Sequence, residues 1–191
     1  MKKLVICVLL GLFCGPGRVM AQDIAIKTNL LYWASTTPNL ALEVKLGDRT
    51  TFELTGGYNP WTLKKDTNSK IKHWAVVPEF RYWLCEPHNG HFFGVQSGYG
   101  FYNVAGFRIP FYSETTRNHR YQGWATGLGL TYGYSWILGK RLNLEASVGL
   151  GYVYTRFDRY ECATCGKFLG ANHENYFGPT ELAITLVYMI K

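Results

Sequence analysis

The residues of this 191-residue chain that could do chemistry are a cysteine pair, a few histidines with serines, and a set of charges at alternate positions. Cys162 and Cys165 form a C-x-x-C. At that spacing two thiols can close a short disulfide loop, supply half of a tetrahedral zinc site, or stay reduced. His119 and His173 would have to complete a zinc site, because no second cysteine pair exists. A Ser–His nucleophile could be built from His91 with Ser97, or from His119 with Ser113. Such a pair must lie within hydrogen-bond reach and needs a third group to orient the base. Neither pairing has a spacing that marks it out. The charges Lys27, Glu43, Lys45, Glu53, Glu79, Arg81, Glu145 and Glu181 each sit within a run of alternating residues. Carboxylates in such runs are no sign of acid–base catalysis without a pocket. They are expected to form an interior ion network, with an ion or proton path as the sharper alternative. The chain has no glycine-rich phosphate loop and no nucleic-acid motif, so no cofactor and no nucleic-acid partner is expected.

The elements that carry these residues show a period of two, the mark of β-strands. The clearest is 121–154. Trp124, Thr126, Leu128, Leu130, Tyr132, Tyr134 and Trp136 alternate with Ala125, Gly127, Gly129, Thr131, Gly133 and Ser135. After Gly139-Lys140-Arg141, Leu142, Leu144, Ala146, Val148, Leu150, Tyr152 and Tyr154 alternate with small or polar residues. Further strands are expected at 24–34, 40–46, 50–58, 71–84, 91–103 and 180–190, eight in all. Pro78 falls inside one of them, where it removes a ladder donor, and a bulge or kink is expected there. Connections alternate between short and long, the long ones being 59–70, 104–120 and 156–178. Aromatics collect at the strand ends. Phe52, Tyr82, Trp83, Phe92, Tyr134, Trp136 and Tyr188 lie at one end, and Trp33, Tyr58, Trp61, Trp74, Tyr99, Trp124, Tyr152 and Tyr154 at the other. Large apolar faces with aromatic ends, small or charged opposite faces and alternating loop lengths are features of transmembrane barrels. The expected fold is all-β: an eight-stranded antiparallel up-and-down transmembrane β-barrel.

The start of the chain fits export. Met1-Lys2-Lys3 is a basic head, Leu4 to Phe13 a short apolar run, and Val19-Met20-Ala21 a small-residue cleavage site, so a signal peptide over 1–21 and a barrel domain over 22–191 are expected. Cys14 as a lipid-anchored residue is a poor alternative, since bulky Phe13 precedes it. No stretch reaches the roughly 18 unbroken apolar residues of a spanning helix. The formal charge of +7 drops when Lys2, Lys3 and Arg18 leave: 20 basic residues become 17 against 13 acidic, or +4. That mild excess suits outer-membrane lipid and lipopolysaccharide headgroups as neighbours. Export also favours the disulfide for Cys162 and Cys165.

Several phrases resemble a known family. They are KTNLLYWASTTPNLALEVKLG (27–47), GGYNPWTL (56–63), KHWAVVPEFRYWLCEPHNGHFFG (72–94) and the closing loop with its C-x-x-C. They resemble a domain-of-unknown-function family of outer-membrane β-barrel proteins from Bacteroidetes-type bacteria, similar to the OmpA-type barrel. The resemblance spans about residues 22–191. It implies an OmpA-like, non-enzymatic protein with a structural or surface-interaction role through its loops. Some members are encoded beside fimbrillin-type pilus genes, which implies surface fimbrial or other cell-envelope proteins as partners. Others continue into a peptidoglycan-binding domain, a tether this chain is expected to lack. The resemblance brings no catalytic residues. Beside the surface-interaction reading stand three alternatives: a fimbrial accessory or anchor, an outer-membrane lipid-modifying enzyme, and a soluble lipocalin-like barrel. With Cys7 and Cys14 removed with the leader, thiol alkylation of the denatured protein should label Cys85 alone before reduction and also Cys162 and Cys165 after it; labelling of all three without reductant would exclude the disulfide.

Overall fold

The computed structural model describes residues 24–64, 69–106, 119–161 and 166–190. The segment 1–21 expected to be a leader, Ser113, and the cysteines 162 and 165 lie outside them. The described residues form an all-β antiparallel sheet: β1 (Ile24–Asn29), β2 (Asn39–Gly47), β3 (Thr50–Asn59), β4 (Thr62–Lys64), β5 (Ser69–Trp83), β6 (Gly90–Ala105), β7 (Arg120–Ile137), β8 (Leu142–Tyr160) and β9 (Phe168–Met189), with one short helix α1 (Leu30–Ala34). Neighbours in sequence pair with one another except β3 and β4, β1 also pairs with β9, and β3 pairs with β5, so the sheet closes into a ring. β4 is a short lip that extends the β3–β5 hairpin. No helix among the described residues is long and apolar enough to cross a membrane, which says nothing of strands. The end where β1 starts and β9 finishes is called lower here, and the opposite end upper.

Alternation sets the two surfaces of the ring. On β7, Leu128 and Leu130 are each 67% exposed on the outside, while Thr131 and Ser135 are buried inside. The same parity turns Lys27, Glu43, Glu53, Glu79, Arg81 and Glu145 inward, with Glu43 fully buried and Lys27 1% exposed. The arrangement is the inverse of a soluble protein's: charges form the core and leucines the surface.

Four expectations need correction. Strand 24–34 stops at Asn29, and 30–34 is helix. Asn29 caps that helix by accepting from the Leu31 N–H (2.9 Å), and Asn39 holds the break by bonding both the N–H and the carbonyl of Asn29. The long connection at 156–178 is mostly strand, since β8 runs to Tyr160 and β9 begins at Phe168. Its polar residues hid the alternation. A register shift between Gly149 and Leu150 also switches the parity of β9 there. Pro78 makes no bulge. Val76 pairs with Tyr99 and Glu79 with Gln96, the same register on both sides of it. Finally, Trp83 and Phe92 are not on the outer surface; both are fully buried inside the lower end. Each adjoins another aromatic, Tyr82 and Phe93, and neighbours in a strand must face opposite sides.

These two rings fill the lower end, 4.8 Å apart, with Trp83 Nε1 donating to Thr51 Oγ1 (2.9 Å) and the Arg81 guanidinium 4.5 Å above Phe92. Gly133 stands opposite Phe92 in register, and a Cβ there would collide with the Phe92 ring and come within 2.8 Å of the Ala146 carbonyl. Gly133→Ala should therefore cost about 1–3 kcal/mol by overpacking. A lower midpoint in equilibrium chemical denaturation would show it; an unchanged midpoint would mean the Phe92 ring can move aside.

Candidate functional site: a buried ion cluster beneath a hollow

The interior has two storeys. In the lower one, two cations meet four carboxylates drawn from five strands. Lys27 of β1 contacts Glu43 of β2 (2.5 Å), Glu53 of β3 (3.0 Å) and Glu145 of β8 (2.9 Å). Arg81 of β5 contacts Glu53 (2.9 Å) and Glu145 (2.7 Å) through one terminal nitrogen, and Glu79 through the other and through Nε (2.7 and 2.9 Å). The compact ammonium reaches three partners at once, whereas the planar guanidinium forks between two sides. Thr51 donates its hydroxyl to Glu43. A Cβ at Gly94 would run into the Glu79 carboxylate, so the glycine makes room for it.

His88 closes the cluster from below, and nothing in the sequence marked it. It sits in the turn after β5 with a positive φ of 64°, which carries its ring inward, 5.7 Å from Trp83 and with Nδ1 3.3 Å from Glu43 Oε2. Its carbonyl accepts from Ser135 (3.0 Å) and Asn143 (2.8 Å). A histidine in a turn of polar residues reads as solvated, and only the inward fold of the turn reveals otherwise.

The expected interior network is thus largely assembled, with two qualifications. Glu181 does not join the cations: it accepts from Ser147 (2.5 Å) and Thr131 (3.4 Å) one layer higher. Lys45 is half-buried, two residues along β2 from Glu43 toward the lower rim.

The upper storey is hollow. A cavity of about 330 Å³ lies between β5, β6, β7 and β8, walled by Ala75, Val77, Gly98, Gly127, Gly129 and Val153. Gln96 and Thr180 form its floor, joined by a 3.4 Å hydrogen bond, and Tyr32 of α1 reaches over it from the upper rim. Glycines at alternate positions on facing strands create this space.

The other candidate residues are not brought together. His91 and Ser97 share the outer face of β6, six residues and so roughly 20 Å apart. His91 Nδ1 instead meets the Tyr132 hydroxyl (2.8 Å). His119 lies by Tyr121, and His173 by Tyr154 on β9. Among the described residues no group of three or more histidines, cysteines or carboxylates is arranged to hold a metal ion. Cys85 is exposed beyond the lower end of β5. A second, smaller void of about 70 Å³ reaches Glu53, Glu79 and Arg81 past Tyr32, Gln96 and Thr180; the cluster itself ties β1, β2, β3, β5 and β8 together.

Removing one member of a buried ion pair leaves an uncompensated charge. Lys27→Met should lower stability by about 3–5 kcal/mol. Glu79→Gln should cost far less, because one Glu79 oxygen already lacks a hydrogen-bond partner and carboxylates outnumber cations in the cluster. Denaturation midpoints of the two variants test this, and equal losses would refute the assigned roles.

Comparison with known proteins gives no match among curated proteins or among solved structures. The model of a family described as "Protein of unknown function (DUF3575)" matches residues 4–190, nearly the whole chain, and on that match the chain belongs to the DUF3575 family.

Proposed function

We propose that this chain is a bacterial outer-membrane protein: an eight-stranded up-and-down transmembrane β-barrel, with β4 as a lip, exported by a cleaved leader over 1–21. Its role is non-enzymatic, structural or surface-interacting. The observation that carries the reading is the inverted ring, with Lys27, Glu43, Glu79, Arg81 and Glu145 buried inside and leucines such as Leu40, Leu128, Leu130 and Leu182 on the outside. A basic group facing lipid at the midplane costs roughly 2–4 kcal/mol, so the charges belong inward and the apolar belt outward. A closed ring also leaves no unpaired edge, as a bilayer requires. A lipocalin-like soluble barrel would need the opposite parity, with Glu79 and Arg81 outside. A lipid-modifying enzyme based on His91 and Ser97 is disfavoured by their separation along β6.

Outward aromatics support the placement. Tyr82, Tyr132, Trp136 and Tyr188 are exposed near the lower end and Trp33, Tyr58, Trp61, Trp74 and Tyr99 near the upper end, as two interfacial girdles would be. The lower turns become periplasmic and the upper hairpins extracellular. The β8–β9 hairpin extends past Tyr152 and Phe177 to Tyr160 and Phe168, with polar Arg156 and Asp158, and offers the longest surface to an envelope partner. A link to fimbriae rests on family resemblance alone and is carried as the narrower form of the same role.

Outer-membrane fractionation with a gel run on boiled and unboiled samples tests the proposal. The protein should partition with the outer membrane and change mobility on boiling. A soluble periplasmic protein with no mobility change would overturn the membrane reading.

A further inference from the structure

We infer that the upper cavity is a binding site for a single unbranched acyl chain, admitted sideways through a seam in the wall at Pro78. The inference rests on the outer-membrane reading, since the seam opens onto the face proposed to meet lipid.

The shape of the cavity limits what fits. Its walls run along β6 from Gln96 to Tyr102, roughly 20 Å of strand. A space of about 330 Å³ drawn out over that length suits an elongated ligand such as a hydrocarbon chain. Its lining is mostly apolar and holds no carboxylate, lysine or arginine for an anion; of its polar side chains, His73 Nδ1 meets the Ile71 carbonyl and the Tyr102 hydroxyl meets Thr155. Below Gln96 and Thr180 a smaller void of about 70 Å³ continues to Glu79, Arg81 and Glu181, a polar lining that stops a hydrocarbon chain at that level.

The wall beside it is weak at one place. On the β3 side, pairing runs unbroken through Thr55↔Val77 and Leu54↔Pro78. On the β6 side, pairs form at Val76↔Tyr99 and Glu79↔Gln96 and at neither position between. Proline has no N–H to give, so the carbonyl of Ser97, opposite it in that register, loses its ladder donor. Across the gap Val77 faces Gly98, and both line the cavity. An unpaired backbone carbonyl at lipid depth is costly, and such irregularity is tolerated where it borders a cavity. Outside the seam the surface is apolar, with Val76, Val95 and Tyr99 exposed. A weakened ladder, an apolar slot behind it and an apolar face before it form one route for a chain from the surrounding leaflet.

The test uses the full-length mature protein in bilayer nanodiscs, with methyl-labelled alanine and valine read by NMR. Stearate carrying a nitroxide near its chain end is the probe, and unlabelled palmitate the competitor. The inward methyls of Ala75, Val77, Ala125 and Val153 should broaden strongly and recover with palmitate, while the lower-end methyls of Ala25 and Val187 stay sharp. Gly98→Leu should abolish the inward broadening, because a Cβ at Gly98 meets only Val77 at an ordinary 3.7 Å and the added side chain fills the slot. Ala125→Leu serves the same purpose should Gly98→Leu not fold. The outward methyls of Val76 and Val95 should broaden in every variant. Pro78→Val restores one ladder hydrogen bond and should slow the onset of inward broadening about five- to tenfold without changing its final extent. Sharp inward methyls in a protein that shows the boiling shift would overturn the acyl site alone. Unchanged onset in Pro78→Val would overturn the side route. A wild-type protein recovered soluble and without the shift would sink the membrane reading and the side route with it.

Discussion

Two buried cations, Lys27 and Arg81, are what the ring's interior depends on. Four carboxylates from β2, β3, β5 and β8 face them with little access to water, and each would be a severe liability alone. The Glu53–Arg81 contact bridges β3 and β5, the pairing that closes the sheet, and the Lys27–Glu145 contact crosses the interior between β1 and β8. Closing the ring and neutralising the charges are therefore one event. A sheet that failed to close would part Glu53 from Arg81 and Lys27 from Glu145, leaving Arg81 only Glu79 of its own strand and Lys27 only the carboxylates of β2 and β3.

The interior is unequal from end to end, and the inequality follows from side-chain size. Below, Trp83, Phe92 and His88 fill the space under the ion cluster, with Gly133 and Gly94 giving way to their larger neighbours. Above, glycines face one another across β6, β7 and β8 and leave a cavity, with Tyr102, Tyr121 and Phe157 filling the interior nearer the upper rim and Tyr32 swung in by α1. The sealed half holds the fold. The hollow half, bordered by the Pro78 gap, is where the molecule has room for something else. That division assigns stability to the charged residues and leaves binding to the apolar ones, the reverse of what a list of titratable residues suggests.

Much of this was legible in the chain itself. Strict alternation in 121–154 and 40–46 determined strand positions, and the charges at odd positions from Glu43 to Arg81 determined which face carried Lys27, Glu43, Glu53, Glu79, Arg81 and Glu145, because a period of two leaves no third option. Membership of the interior set could be read residue by residue. What could not be read was depth and partnership. Trp83, two residues beyond Arg81, and Phe92, four before Gln96, share the inward parity of their strands; the aromatic pairs Tyr82-Trp83 and Phe92-Phe93 masked that parity, and only the register of β5 against β6 brings the two rings together. α1 breaks an apparent strand because Asn39, ten residues away, captures the backbone of Asn29. His88 joins the cluster because its turn folds back under the ring. Alternation is a local property and the sequence carries it directly. The cavity, the proline seam and the convergence of five strands on two cations are properties of closure, and they exist only once the β3–β5 and β1–β9 pairings bring distant residues to the same level.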